Sequence, residues 1–411
     1  MWIWQRPDWP KFQFDADRLA GASSLFVSAD AELVGRVEVG EADCRADLAV
    51  ELMLSEAIAS YAIEGESLDR DSVRSSLLNV MGRLSESPPQ EAGDAEDGAV
   101  SLIVDVRRNW DAPLSQQRLG AWQAMALAGR RMSSLQRGRY RRGPETMSIV
   151  SGNPYGPKGT RVHYEAPPSD RVPAEMDRFI EWFNGSRGDI DGLARAAVAH
   201  LWFEKIHPFD DGNGRVGRAL SDMAISQALG RPTLSCLATA INEDRAGYYA
   251  ALDGAGRDGM NVDPFLYYFS ETALRSQSIA LREVRFVLGK TRFLDQFGGR
   301  FNPRQRKAAL RMLEEGSKGF QVGLSPRNYR AITKASSATA TRDLAGLVRM
   351  GAMTATGKGR SLRYAIRLLD SPPHLLEEML GEGGNALGGT GAAHAPRGAK
   401  TPRPGGPRPS P

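Results

Sequence analysis

Twelve consecutive residues, His207-Pro208-Phe209-Asp210-Asp211-Gly212-Asn213-Gly214-Arg215-Val216-Gly217-Arg218, gather a histidine, two aspartates, an asparagine, two arginines and three glycines. Gly212 and Gly214 remove side-chain bulk, so backbone N–H groups can approach an anion. The apolar run Leu193 to Ile206 precedes this stretch and Ala219 to Leu229 follows it. The second run predicts a helix that points its positive dipole end at the same anion. Arg215 and Arg218 lie three apart on that helix, so two guanidinium forks can reach one polyphosphate. Asp211 is a hard oxygen ligand suited to a Mg²⁺ ion shared with phosphates, and Asn213 can orient a phosphate oxygen. His207 titrates near neutrality and stands at the mouth of the loop, as a general base would. Phe209, apolar among polar neighbours, is expected to anchor the loop in the core, and Asp210 to lie on the surface. The set suits attack of a hydroxyl on a phosphate of a bound nucleotide, with Mg²⁺, backbone N–H groups and arginines stabilising the charge that builds. No GxxxxGK[ST] is present, so the phosphate site is not of the P-loop kind. Taken singly, a histidine before proline or a Gly-Asn-Gly turn is usually structural; twelve positions serving one site are not.

The rest of the chain must position that loop. Its 411 residues are enough for two or three domains. An apolar content of 41% and a charged content of 25% are ordinary for globular protein. No run of about 18 apolar residues occurs, so no membrane span is expected. The opening Met-Trp-Ile-Trp-Gln-Arg-Pro has no basic-then-apolar export pattern. Cys44 and Cys236 are the only cysteines, without metal spacing, and read as reduced core thiols of a cytoplasmic protein.

Trp2, Trp4, Trp9, Phe12 and Phe14 open the chain as core staples. Ala46 to about Met81 reads as a helix pair, broken at Gly65 and capped again by Asp69 or Asp71. Residues 85–98 are acidic and Pro/Gly-rich and read as a linker. Helices are expected from Ala99 to about Asn109 and from Ser115 to about Ala128. Met147 to Val150 and Val162 to Tyr164, around a Gly/Pro turn, predict a β-hairpin, isolated among helices and therefore lying on the helical body as a flap. Further helices are expected from Pro173 to about Gly185, over 241–253 and from 264 to about 288, with a boundary near Gly298-Gly299. Beyond it, helices from Pro303, Ser325 and Ser336 and a hairpin at 353–366 outline a winged helix-turn-helix. Residues 321 to 365 hold Arg327, Arg330, Lys334, Arg342, Arg349, Lys358, Arg360 and Arg363 against one acid, Asp343, the footprint of a nucleic acid or an acidic partner. The tail from about Ser371 is Gly/Pro/Ala-rich and expected to be disordered.

The central stretch resembles the signature of the Fic family, H-P-F-x-[D/E]-G-N-[G/K]-R-x-x-R, at every position, and Ala199 to Ile206 resembles the helix that leads into it. The resemblance implies a mainly α fold: a Fic-type helical core with a β-hairpin flap at 99–290. Before it would come an N-terminal helical inhibitory region at 1–98, ending in the acidic linker, and after it a winged helix-turn-helix at 291–370; the linker at 85–98 and the tail at 371–411, read as disordered from composition, lie outside the resemblance. It implies transfer of AMP from ATP to a Ser, Thr or Tyr hydroxyl of a target protein, and of the enzyme itself. His207 would be the base, Asp211 the Mg²⁺ ligand, and Gly212, Asn213, Gly214, Arg215 and Arg218 the phosphate site. Val150, Ser151 and Gly152 occupy the flap position, which pairs with the target and borders the nucleotide. Tyr248 and Tyr249 resemble the paired tyrosines near the adenine. Ser60-x-x-x-Glu64-Gly65 resembles the inhibitory motif [S/T]-x-x-x-E-[G/N], whose glutamate pairs with the second motif arginine, here Arg218, and blocks the γ-phosphate. A carboxylate competing with phosphate for one guanidinium is sound chemistry. One alternative uses the same residues, removal of AMP with Glu64 positioning water; another, resting on the basic residues 321 to 365, is a DNA-binding regulator carrying a Fic domain. A DNA or protein partner through 291–370 and a homodimer are compatible with the sequence; a membrane partner is not expected.

Overall fold

A computed structural model describes residues 1–38, 42–82, 93–130, 136–144, 147–152, 160–257, 259–316 and 323–368. The chain is mainly helical with two small hairpins. Helix α1 spans Ala16–Glu38, α2 Ala42–Ile63, α3 Arg70–Val80, α4 Asp94–Arg108 and α5 Gln116–Ala126. Strands β1 (Ser148–Gly152) and β2 (Thr160–Glu165) pair antiparallel, with Val150 opposite Val162 and an irregularity between Ile149 and Val150. There follow α6 (Val172–Gly185), α7 (Gly192–Ile206), α8 (Asn213–Leu229), α9 (Leu237–Glu243), α10 (Arg245–Gly254) and α11 (Asp263–Phe297). The chain goes on through α12 (Pro303–Glu314), α13 (Pro326–Thr333), α14 (Ser337–Arg349), β3 (Met353–Thr356) and β4 (Arg363–Ile366).

Every residue of α7 after its first, Leu193 to Ile206, is buried, so it is the axle of the main core rather than an amphipathic surface helix. It packs beside α8 and against the long α11. The aromatic opening closes this core from one side: Trp9 and Phe12 meet Trp202 of α7 edge-on. Trp4 donates its indole N–H to the Glu165 carbonyl at 2.7 Å, and Trp2 packs on Tyr164. These contacts, with the Tyr164 hydroxyl donating to the Lys205 carbonyl at 2.6 Å, fix the base of the β1–β2 hairpin to α7. A second core gathers Phe293, Phe297, Met312, Leu313, Tyr329, Leu344, Leu347 and Met353. The last turns of α11 belong to it, so the expected division at 290 falls inside one continuous helix. Cys44 and Cys236 are free and buried in a further apolar cluster. Among the described residues no helix is long and apolar enough to cross a membrane.

Several expectations need correction. Helix α1 was not anticipated. Helix α4 begins at Asp94, inside the stretch read as linker, because Asp94, Glu96 and Asp97 favour a helix N-terminus; residues 85–92, the hairpin turn at 153–159 and the tail lie outside the described residues. The helix expected over 241–253 is two helices. Asp244 ends α9 and caps α10 by accepting from the Gly247 N–H at 3.1 Å, a local bond that competes with helix continuation. Gly65 ends α2 with φ +80°, a left-handed conformation that suits glycine. Asp69, not Asp71, caps α3.

Candidate active site

His207 is the residue at which α7 stops. Its N–H still donates to the Phe203 carbonyl at 2.9 Å, but its backbone is left-handed, φ 50°, rare for a residue with a Cβ. That conformation is over-determined by its neighbours. Arg141, only 3% exposed, donates from Nε to the His207 carbonyl at 2.8 Å, while its own N–H donates to the Pro208 carbonyl. Phe209 is fully buried between Phe203 and Tyr140. Asn213 accepts from the Phe209 N–H at 3.0 Å and donates to the Phe209 carbonyl at 2.8 Å. Its side chain is therefore spent on the loop itself, and what it can offer a phosphate is its backbone N–H, a correction to the expectation from sequence. Gly212 caps α8 with φ 86°. Its N–H donates to Asp211 Oδ1 at 2.6 Å, and Gln123 of α5 donates to the Asp211 carbonyl at 3.2 Å. Asp210, expected at the surface, is half-buried.

The end of α2 lies across the first turn of α8. Arg218 is 3% exposed. Its Nη2 stands 2.9 Å from Glu64 Oε1; Nε donates to Ser60 Oγ at 2.9 Å and Nη2 to the Ser60 carbonyl at 2.8 Å. Glu64 can come this close because position 214 has no side chain: a Cβ on Gly214 would fall 2.2 Å from Glu64 Oε1. Burial pushes the Glu64 carboxyl up, but the Arg218 charge and hydrogen bond outweigh it and hold the group below its ordinary value. Burial likewise works against the Arg218 cation, and Glu64 more than offsets it.

A second set of charges was not read from the sequence. Glu66, one residue past Gly65, reaches Arg215 Nη1 at 3.3 Å and pairs with Arg130, which in turn pairs with Asp211. Arg215 is 1% exposed, donates to the Ala126 carbonyl at 2.7 Å and lies over the Tyr61 ring. So Arg215, Arg218 and Asp211, the groups expected to handle phosphate and metal, all face carboxylate or guanidinium partners. The only local signal for Glu66 was its place beside Glu64; Arg130 and Arg141 carried none beyond being basic.

Facing His207 is a cavity of about 700 Å³ lined among others by Glu64, Glu204, Gly214, Tyr248 and Tyr249, within the range of small-molecule sites. Burial, followed by the Arg141 charge, lowers the His207 pKa to about 4, so the imidazole is neutral at pH 7. Its Nδ1 is 3.8 Å from Glu204 Oε2. Glu204 is buried, and burial, followed by the Glu64 charge, raises its pKa to about 8, leaving it protonated at neutral pH. The tyrosine pair divides. Tyr248 is buried with its hydroxyl 2.8 Å from His200 Nε2, whereas Tyr249 is 46% exposed and donates to the Ile63 carbonyl at the end of α2. The flap strand brings Ile149 to the cavity wall. For Val150, Ser151 and Gly152 the backbone places the strand, and their side chains lie outside the described residues.

Comparison with known proteins places this geometry. The Fic/DOC family matches residues 113–225, and "Domain of unknown function (DUF4172)" matches residues 2–82. The chain is 33% identical over 101 residues to protein adenylyltransferase fic-1 of Caenorhabditis elegans, a match covering 24% of this chain and 18% of that protein. It is 38% identical over 72 residues to the probable protein adenylyltransferase aq_aa38 of Aquifex aeolicus (strain VF5), covering 16% of this chain and 22% of the relative. The chain thus spans about a fifth of the length of the curated relatives it matches. Among solved structures, a Fic family protein from Desulfovibrio desulfuricans G20 aligns over 85% of this chain and 97% of its own at 20% identity, TM-score 0.47. Residues 113–225, which hold the loop from His207 to Arg218, are a Fic/DOC-family domain.

Proposed function

We propose that the chain is a protein adenylyltransferase that transfers AMP from ATP to a Ser, Thr or Tyr hydroxyl of a target protein, itself included, and that Glu64 holds it inactive. In the reaction the hydroxyl oxygen bonds to the α-phosphorus, the bond to the β-phosphate oxygen breaks, pyrophosphate leaves, and His207 accepts the hydroxyl proton. A neutral, half-buried imidazole open to the cavity can accept that proton, and the negative phosphates beside it would raise its basicity from the low resting value. Arg215, Arg218 and the N–H groups of Gly212, Asn213 and Gly214 at the start of α8 would hold the phosphates. Asp211 fits Mg²⁺ as a single hard carboxylate at the loop, since such ions take their remaining oxygens from phosphates and water; when bound, the ion neutralises phosphate charge. Tyr249 would border the adenine, and the β1 strand would pair with the target backbone.

The observation that carries the proposal is that Glu64, on the wall of the cavity that His207 faces, pairs with Arg218 at 2.9 Å. While it stands, a γ-phosphate cannot take Arg218. The test is incubation of wild type and Glu64→Gly with α-labelled ATP and lysate. The variant labels protein strongly, wild type weakly, and His207→Ala not at all. Absence of labelling from both folded proteins would sink the proposal. Because Glu64 also lines the cavity, a second reading is removal of AMP with Glu64 positioning the water. Release of AMP from a pre-modified protein by wild type, lost in Glu64→Gly, would favour it.

A further inference from the structure

The Fic/DOC match ends at residue 225, and nothing in the proposed reaction uses residues 293–368. These residues have their own apolar core. Within it α12, α13 and α14 are followed by the β3–β4 hairpin, and Leu324 adds one antiparallel bridge to Tyr364. Their charge is one-sided. Residues 323–368 contain nine Lys/Arg and one acid, Asp343. The fold turns that acid inward: Asp343 is 6% exposed and accepts from Arg304 at 2.8 Å, Asn302 at 3.0 Å and the Tyr329 hydroxyl at 3.0 Å. Among the described residues, no ion-pair partner faces Arg327, Arg330, Lys334, Arg342, Arg349 or Lys358, all of them exposed. The outward field of this part of the chain is therefore uniformly positive.

The basic groups are arranged, not scattered. Arg327, Arg330 and Lys334 line one open concavity with Ala331 and Ala335. That concavity runs directly into the start of α14, where Ser336 caps the helix by accepting from the Thr339 N–H. The exposed face of the first turns of α14 is Ser337, Ala338, Thr341 and Arg342, small or hydroxylic residues around one guanidinium. Lys358 stands exposed in the β3–β4 turn. From these observations we infer that residues 323–368 bind duplex DNA, with the first turns of α14 in the major groove, Arg342, Ser337 and Thr341 toward base edges, and Arg327, Arg330, Lys334 and Lys358 on phosphates.

Two features select DNA over other anionic partners. Protein interfaces are anchored by buried aromatic and apolar side chains, and none of the exposed large hydrophobic residues among the described residues lies in 293–368. An A-form RNA duplex has a major groove too narrow for a helix.

The test measures anisotropy of a labelled 30-base-pair duplex with the full chain, wild type and a triple variant, Arg330→Ala, Arg342→Ala, Lys358→Ala, over a salt series. Wild type binds at about 50 mM salt, and log K falls against log salt with a slope near −4 for about four phosphates. The triple variant flattens the slope by about two and weakens binding at least about tenfold at that salt. Selection from random duplexes yields a base preference that Arg342→Ala alone relaxes. Binding that survives the triple variant overturns the inference, since it would belong to other basic residues, such as those past 396. So does equal competition by poly-glutamate, which marks a protein site, or absence of binding at about 50 mM salt. Retained labelling activity and melting temperature in the triple variant confirm that it folds.

Discussion

Removal of Glu64 is the perturbation whose size follows most directly from the structure. On the proposed reading, productive ATP displaces the Glu64 carboxylate from Arg218, a guanidinium that is 3% exposed and also donates to Ser60 Oγ and the Ser60 carbonyl. A hydrogen bond to a charged, desolvated partner contributes about 1.5–3 kcal/mol, so Glu64→Gly should raise the initial labelling rate at sub-saturating ATP by about 10- to 150-fold. Glu66 reaches Arg215 at 3.3 Å, a longer contact than the 2.9 Å of Glu64 to Arg218, and its link to Asp211 runs through the half-buried Arg130. Glu66→Gln should therefore give a smaller rise, about 3- to 10-fold, equivalent to about 0.7–1.4 kcal/mol. The two carboxylates ride on one short segment after α2, so releasing one loosens the other and the double variant should fall short of the product of the single effects. The assay is incorporation of α-labelled ATP into protein over a range of ATP concentrations, with circular dichroism on each variant. If Glu64→Gly stays within about twofold of wild type at every ATP concentration while both fold, competition for Arg218 does not restrain this enzyme.

Four further outcomes can be checked. Gly214→Ala should lower the melting temperature of wild type, because the new Cβ meets Glu64 at 2.2 Å, and should cost much less in the Glu64→Gly background; equal costs would separate the two positions. The Glu64 carboxyl is held below its ordinary value, so its restraint is present above that value and is lost only as pH falls through the lowered one. The wild-type to Glu64→Gly rate ratio should then stay flat from about pH 6 to pH 8. Glu56 and Glu204 are raised to about 8, each first by burial, Glu56 also by Asp222. The folded chain keeps protons there that the unfolded chain releases, so stability should fall as pH rises from about 5 to 8, and Glu204→Gln should flatten that fall in melting-temperature scans. Arg141→Met should leave the Glu64–Arg218 pair in place yet lower kcat of the Glu64→Gly enzyme at least about tenfold, since a misplaced base loses much of a general-base contribution of 10²–10⁴; an unchanged kcat would show that the His207 conformation does not depend on the clamp.

How much of this was legible depended on the range over which each group acts. The loop from His207 to Arg218 could be read because its chemistry is local; Gly65 could be read as a helix stop, whereas Ser60 and Glu64 stood out only through their resemblance to the inhibitory motif. Arg141, Arg130 and Glu66 act from far along the chain or as single charges, and a lone basic residue before a strand looks like any solvated one. Asn213 shows the converse error: its type suits a phosphate, but a loop this tight needs its own N–H and C=O groups satisfied first, and Phe209 claims the side chain. Helix α1 carries a regular stripe, Leu19, Ala22, Phe26, Ala29 and Leu33, all buried, which the aromatic residues before it obscured. The break at Asp244 is a capping choice that periodicity alone does not reveal.

If Glu64 restrains the site as proposed, placing the restraint on an arginine rather than on the base constrains what could relieve it. A carboxylate on His207 would form a pair that titrates near neutrality, and small pH changes would open it. Arginine stays charged throughout, and Glu64 is held ionised by Arg218, so this pair does not open with physiological pH. On that reading, relief comes from displacing Glu64 or the end of α2 that carries it. Besides the Arg218 contacts to Ser60 and Glu64, that end is held where the Tyr61 hydroxyl donates to the Ala126 carbonyl and Arg245 and Tyr249 both donate to the Ile63 carbonyl. Two of these come from α10, on the wall where Tyr249 lines the cavity. A ligand on that wall that displaced or tightened the Tyr249 contact to Ile63 would couple occupancy of the proposed adenine site to the proposed hold of Glu64 through a single carbonyl.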